Sequence, residues 1–264
     1  MYNKIKDIKR IVIKVGTSTL THQTGRLNIR RVESLVKVIS DLKNMGKEII
    51  LVSSGAIGVG AGCMGMTERP REKVAKQAAA AVGQCELMNI YAKMFREYEH
   101  TVAQILLTKD VVEVAESKDN AINTFMKLLE YGVIPIVNEN DTISTKEAEF
   151  GDNDTLSAVV AVLAEAGLLV ILSDIDGVYD SNPKEHDDAK LINIVENVDD
   201  IMDVAGGAGS SLGTGGMITK LEAAKIAGAK GIHTIIMNGS SPKHLYDITS
   251  GTPVGTLLKG DAVK

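Results

Sequence analysis

Cysteine is scarce in this 264-residue chain: Cys63 and Cys85 are the only two. They are too few and too far apart for a CxxC metal or redox pair or a disulfide framework, so both read as small buried side chains in a reducing compartment. A basic tract is also missing, because 29 Lys and Arg are mixed with 34 Asp and Glu to a net charge of −5. Without a surface able to neutralise a phosphate backbone, nucleic acid is not expected as a partner. No apolar run is long enough for a bilayer. The longest, Leu156 to Leu172, is cut by Glu165 and Gly167 into a helix and a strand, each well short of the roughly 20 residues a span needs. The opening stretch MYNKIKDIKRIVIKVG is no signal peptide, since its short apolar run is broken by Lys14. The chain reads as a cytoplasmic globular protein with no membrane partner.

Several familiar chemistries are absent too. The only Gly-Lys, Gly46-Lys47, is followed by Glu48, so there is no Walker A loop. A formal GxGxxG at Gly60, Gly62 and Gly65 runs into MTERP instead of opening a helix straight from a strand, which sets a dinucleotide fold aside. There is no GxSxG, the acids after Leu172 lack EF-hand spacing, and the five histidines occupy no motif.

What remains is a regular alternation. RIVIKV, EIILVSS, TVAQILL, GVIPIVN, GLLVILS and GIHTIIM are short, apolar on nearly every position and rich in β-branched residues, as strands buried on both faces of a parallel sheet are. Helical segments lie between most of them. Ile29, Val32, Leu35, Val36, Ile39, Leu42 and Met45 keep helical spacing, with Asn28 placed as N-cap and Gly46 as the stop. The pattern predicts an α/β fold, a three-layer αβα sandwich with a mainly parallel central sheet. Residues 1–264 are read as one domain with two lobes, about 1–165 and 166–264, and EHDDAK (Glu185 to Lys190) is a charged surface excursion.

In such sheets ligands sit beyond the carboxyl ends of the strands. Lys14 closes the first strand, where an ammonium among apolar neighbours needs an anion or an escape to solvent. SSGAIGVG, Ser53 to Gly60, offers glycine N–H groups suited to an anion, or is a plain turn. VNENDTIS places Asn138, Asn140 and Asp141 where a small polar ligand can be read, or is a capped turn. GDND loads the mouth of one apolar helix with Asp152, Asn153 and Asp154, although one cap suffices. Asp152 is assigned as that cap, leaving the other two for chemistry. LSDIDGVYDSNP opens at a further strand end, and GTGGMITK joins mobile N–H donors, a helix start and Lys220 in a phosphate-cradling design.

Lys14, SSGAIGVG, VNENDTIS, GDND, SDIDGVYDSNP and GTGGMITK, in this order, resemble the amino-acid kinase family across nearly the whole chain. SSGAIGVG, VNEND and GDND are similar to the forms found in members that phosphorylate glutamate. The resemblance implies ATP-dependent phosphorylation, with Mg2+, of the side-chain carboxylate of L-glutamate, the first step toward proline. It also implies Ser54, Gly55, Asp141 and Asn153 at glutamate, and Lys14, Ser173, Asp174, Thr214, Gly215, Gly216, Met217, Ile218, Thr219 and Lys220 at ATP. Lys14, Lys220 and Asp154 would be catalytic, with Asp154 organising the two lysines and no residue set acting as a protein-held metal site. From the family, proline is expected as a feedback inhibitor and the assembly as a homo-oligomer, dimer or tetramer. Many bacterial relatives continue into a small module of the type found in pseudouridine synthases, which this chain is expected to lack. Two alternatives stay open: a family member acting on another acceptor, and a module that binds amino acid or nucleotide without turnover.

Overall fold

Strands that are apolar on both faces must be covered on both, and the helices of this chain do so. The computed structural model describes residues 2–22, 26–68, 70–144, 153–181, 183, 185–206 and 215–261. Among the described residues one sheet contains β1 (Arg10–Val15), β2 (Glu48–Ser53), β3 (Val102–Leu107), β4 (Ile134–Glu139), β5 (Leu168–Ser173), β6 (Ile194–Val195), β7 (His233–Asn238) and β8 (Thr256–Leu258). Their order is β3-β4-β2-β1-β5-β7-β8-β6, and every neighbouring pair is parallel except β7 with β8. The first five and the seventh are the strands expected from composition. β6 and β8, two and three residues long, are additions, too short for periodicity to announce them.

Eleven helices accompany the sheet among the described residues: α1 (Tyr2–Ile5), α2 (Thr17–Leu20), α3 (Ile29–Asn44), α4 (Ala56–Cys63), α5 (Lys73–Arg96), α6 (Asp110–Glu113), α7 (Ala115–Glu130), α8 (Asn153–Leu163), α9 (Val198–Gly206), α10 (Gly215–Gly228) and α11 (His244–Ser250). Alternation along the strands sorts the core into two slabs. Val12, Ile50, Val52, Leu169 and Ile171 pack with α7, α8 and α10. Ile11, Ile13, Val15, Ile49, Leu51, Leu168, Val170 and Leu172 pack with α3, α5 and α11 on the other face. The result is the αβα sandwich expected from the sequence.

Local signals hold where they were strongest. The Asn28 side chain accepts a hydrogen bond from the Arg31 N–H and caps α3, and Gly46 adopts φ +89° just past its end. Ile29 and Met45 lie at the two ends of the apolar stripe and are exposed. Glu165 at φ +49° ends the run after α8, and a side chain at Gly167 would press against Ile8. The EHDDAK segment is largely exposed. No helix among the described residues is long and apolar enough to cross a membrane.

Two expectations are corrected. Cys63 and Cys85 are exposed thiols, because Cys63 ends α4 and Cys85 lies on the outer face of α5, so helix geometry overrides the usual burial of cysteine. The second concerns the glycines after Ser54, read as N–H donors or a plain turn: Gly60 also has a packing role. A Cβ on Gly60 would lie 1.8 Å from the Ala79 carbonyl oxygen, and one on Gly83 would lie 1.8 Å from the Ala56 carbonyl oxygen. The backbones of α4 and α5 therefore touch, a contact that only glycine permits. Gly58, on the same helix as Gly60, would meet nothing nearer than the Thr17 methyl at 3.5 Å.

The contrast is testable. Gly60→Ala and Gly83→Ala should each lower the urea-unfolding free energy by about 3 kcal/mol or more, the upper range for overpacking. Gly58→Ala should stay within about 1 kcal/mol of the parent; equal effects at all three positions would refute the contact.

Candidate active site

Strand register sets the carboxyl ends level. Val15 pairs with Ser53 on one side and Leu172 on the other, Ser173 pairs with Asn238, and Leu106 pairs with Asn138. Ser54, Gly16, Asp174 and Asn138 thus lie at one edge of the sheet, where ligands gather in folds of this kind.

Lys14 shares its strand face with Val12, two residues earlier, and so points toward α8 and α10. Its side chain is 10% exposed, and its Nζ lies 2.6 Å from Asp154 Oδ1. Asp154 stands in the first turn of α8, where the helix dipole favours an anion, and its side chain is 3% exposed. Lys220 of α10 reaches the other oxygen, Oδ2, at 3.0 Å and also donates to the Gly216 carbonyl at 2.8 Å. The Thr219 hydroxyl donates to the same Oδ2 at 3.0 Å. Burial pushes the Asp154 carboxyl up, but the charges and hydrogen bonds of Lys14 and Lys220 outweigh it, so the group titrates below the ordinary carboxylate value. An anion fixed between two cations is what presents a pair of ammonium groups side by side.

The neighbouring residue begins a second constellation. Asn153 Nδ2 donates to Ser54 Oγ at 2.8 Å and to Asn138 Oδ1 at 2.9 Å. Asn138 in turn donates to Gln84 Oε1 of α5 at 2.9 Å. Gly55 turns the chain after Ser54 with φ +106°, a left-handed conformation that suits glycine. Asp141 lines a cavity of about 210 Å3 with Ile57, Lys73, Lys76 and Gln77.

Ser173 Oγ donates to Asp174 Oδ1 at 3.1 Å, and its carbonyl accepts from the Gly239 N–H. Asp176 and Asp180, two further acids of that loop, bond to Asn238 and to the Lys190 N–H, so they shape the loop. Gly215 opens α10, Met217 packs its side chain into the core, and Ile218 is half-buried. Thr214, the preceding glycine loop, and the Gly151 and Asp152 of the expected cap lie outside the described residues.

The structure therefore joins Lys14, Asp154 and Lys220 in one cluster, and Ser54 and Asn153 in another. Sequence reasoning missed two supports, and it placed Thr219 at ATP without foreseeing its bond to Asp154. Gln84 lies in a helical stretch with no local mark of a role. Tyr91, whose hydroxyl lies 2.9 Å from Ser53 Oγ, reads as ordinary core; burial pushes its hydroxyl pKa up and keeps it neutral.

Residues 9–238 match the family described as "Amino acid kinase family". The chain is 55% identical to glutamate 5-kinase of Clostridium perfringens over 98% of both chains. It is 52% identical to glutamate 5-kinase of Clostridium tetani over 96% of this chain and 95% of that one. Among solved structures, carbamate kinase from Giardia lamblia aligns with a TM-score of 0.70 at 16% identity, covering 97% of this chain and all 100% of that one. The UMP kinase from Bacillus anthracis aligns with a TM-score of 0.67 at 20% identity, covering 97% of each chain. These two likenesses establish the fold.

The charge cluster makes a stability prediction. A folded-state pKa held below the unfolded value means that Asp154 contributes stability above the unfolded pKa and loses it as pH falls through the folded one. Asp154→Asn, which strands two ammonium groups, should be less stable by about 3 kcal/mol between pH 5 and 8. The difference should shrink as pH drops below about 4, where the carboxylate of the unfolded parent takes up a proton, and vanish only below the lower folded-state pKa. Denaturant melts of both proteins across this range would show it, and a gap that widens in acid would contradict the assignment.

Proposed function

The chain belongs to the amino acid kinase family, and from that membership we propose that the cluster of Lys14, Asp154 and Lys220 is its phosphoryl-transfer centre. The reaction is the ATP-dependent phosphorylation of the side-chain carboxylate of L-glutamate, giving L-glutamyl 5-phosphate and ADP on the way to proline. The observation that carries the assignment of the centre is the pair of ammonium groups held on the two oxygens of one buried carboxylate at the carboxyl edge of the sheet.

The acceptor determines what the protein must supply. A glutamate side chain has an ordinary pKa near 4.3, so it is already a nucleophile at neutral pH and needs no general base. The obstacle is repulsion between this anion and a polyanionic triphosphate, followed by negative charge spread over the transferred group in the transition state. Alignment and positive charge answer both. Lys14 sits between the acceptor and nucleotide strands, bounded by β2 on one side and β5 on the other, where an ammonium meets the group in transit. Lys220 faces it from α10, and Asp154 holds both ammonium groups in place while staying ionised.

Asn153, bonded to Ser54, reads the acceptor, Asp141 takes its α-ammonium, and the N–H groups after Gly55 take a carboxylate. Ser173, Asp174 and the segment Thr214 to Lys220 hold the nucleotide, so residues of about 1–165 serve the acceptor and those of about 166–264 serve ATP. Magnesium enters with the nucleotide as part of the substrate. No group of three or more His, Cys, Asp and Glu able to hold a metal occurs among the described residues, and the Asp154 oxygens already face ammonium groups. Proline as inhibitor at the glutamate pocket, a homo-oligomeric assembly and a cytoplasmic location complete the proposal on the strength of the family.

The test is ADP release with ATP, magnesium and L-glutamate, with hydroxylamine trapping the acyl phosphate as its hydroxamate. Glutamate should give hydroxamate, whereas aspartate and N-acetylglutamate should give little. Lys14→Ala and Lys220→Ala should each lower kcat by about 100-fold or more with a small change in glutamate KM. Asp141→Ala should chiefly raise that KM. Equal losses in kcat and in affinity for all three variants would contradict these roles, and ligand binding without any ADP would favour a non-catalytic binder.

A further inference from the structure

The cavity beside Asp141 is lined by charge of both signs from two elements. Asp141 and Glu139 come from the end of β4 and the turn after it, and Lys73 and Lys76 come from α5. Three residues apart in the first turn of a helix, the two lysines project from one face, and the helix N-terminus adds its own positive potential. Among the described residues neither lysine forms an ion pair, and both side chains are exposed.

The spacing of the walls is fixed. Gln77 Nε2 donates to the Ser144 carbonyl at 3.4 Å, and Ser144 Oγ donates to Glu139 Oε1 at 3.0 Å, which ties the first turn of α5 to the β4 loop. Behind this point α5 touches α4 through Gly60 and Gly83, and Gln84 accepts from Asn138. Asn138 also accepts from Asn153, and the next residue of β4, Glu139, lines the cavity, so the cavity adjoins the Asn153 constellation along the chain. At about 210 Å3 the cavity is below the size of drug-like sites and suits a small metabolite.

We infer that Lys76, with Lys73 beside it, binds the α-carboxylate of the acceptor amino acid, while the acids of the β4 side take its α-ammonium. The inference rests on glutamate as acceptor and adds the residues that select a free amino-acid head group. A pocket divided in this way recognises a zwitterion. An acceptor whose amine is acylated offers the acids no ammonium, and one whose α-carboxylate is an amide offers the lysines no anion. Lys76 is a specificity-determining residue that lies away from the transferring phosphoryl group, so its loss should act on KM.

The discriminating pair is L-glutamate and L-isoglutamine, its α-amide, which keeps the same side-chain carboxylate as acceptor. The parent enzyme should prefer glutamate by about 100-fold or more in kcat/KM, measured as trapped hydroxamate. Lys76→Met should raise the glutamate KM by about 10-fold or more, leave kcat within about 3-fold, and cut the preference by a similar factor. Lys76→Arg should retain most of the preference, and the double variant Lys73→Met/Lys76→Met should approach parity between the two acceptors. Both lysines are exposed, so circular dichroism of the variants should match that of the parent. A parent enzyme without the preference, or variants that keep it in full, overturns the inference while leaving glutamate as the acceptor. Absence of hydroxamate from glutamate with the parent enzyme overturns the acceptor reading itself, and the inference with it.

Discussion

A carboxylate that is 3% exposed, with an ammonium on each oxygen, is the constraint to which the rest of this molecule is fitted. Taking three charges out of water costs several kcal/mol for each ion, and apolar side chains of similar volume often do as well or better. Stability alone therefore gives little reason for the cluster. In the proposed role its value is preorganisation: two ammonium groups that would repel are held in position before any phosphate arrives, so no reorganisation is needed when charge develops. Three elements far apart in sequence must converge for this, β1 with Lys14, α8 with Asp154 and α10 with Lys220. The parallel sheet brings them together because β1 and β5 are neighbours and α8 and α10 cover the same face.

Chain adjacency then couples the two constellations to which the proposal gives the two halves of the reaction. Asn153 and Asp154 are consecutive, yet Asn153 bonds toward Ser54 and Asn138 while Asp154 bonds toward the lysines. A shift of the α8 N-terminus would move acceptor recognition and the cationic arms together. This resolves the polar crowding of GDND: the surplus groups face opposite sides of one helix entrance.

Much of this was legible in the sequence. The burial of strands on both faces leaves a mark at every position, so β1, β2, β3, β4, β5 and β7 could be read directly. Lys14 stood out as a charge on an apolar strand, Asp154 as a surplus acid at the mouth of an apolar helix, and Lys220 as a lysine after a glycine loop at a helix start. The short β6 and β8 left no mark because pairing that covers two or three residues imposes no period. Gln84, Lys73 and Lys76 escaped for a different reason. A polar residue on a helix is ordinary, and its role comes from what the fold sets opposite it, which one chain's pattern does not record. The exposed cysteines illustrate the same limit, since residue type suggested burial and the helix face decided otherwise.

The glycine contact between α4 and α5 extends the constraint from the centre to the acceptor side. With their backbones touching at Gly60 and Gly83, these helices cannot slide without a clash, so the position of α5 follows from that of α4. The start of α4 is in turn set by Gly55 and the end of β2, which also carries Ser54. The Lys73 and Lys76 side of the proposed acceptor cavity is thereby referenced to the same strand ends as the Lys14–Asp154–Lys220 cluster, through packing on one side and through Asn138 and Gln84 on the other. Such a frame suits an acceptor whose head group and reacting carboxylate lie at opposite ends of a flexible chain. Fixing the head group against two rigid walls removes most of the freedom the side chain would otherwise lose at the moment of reaction.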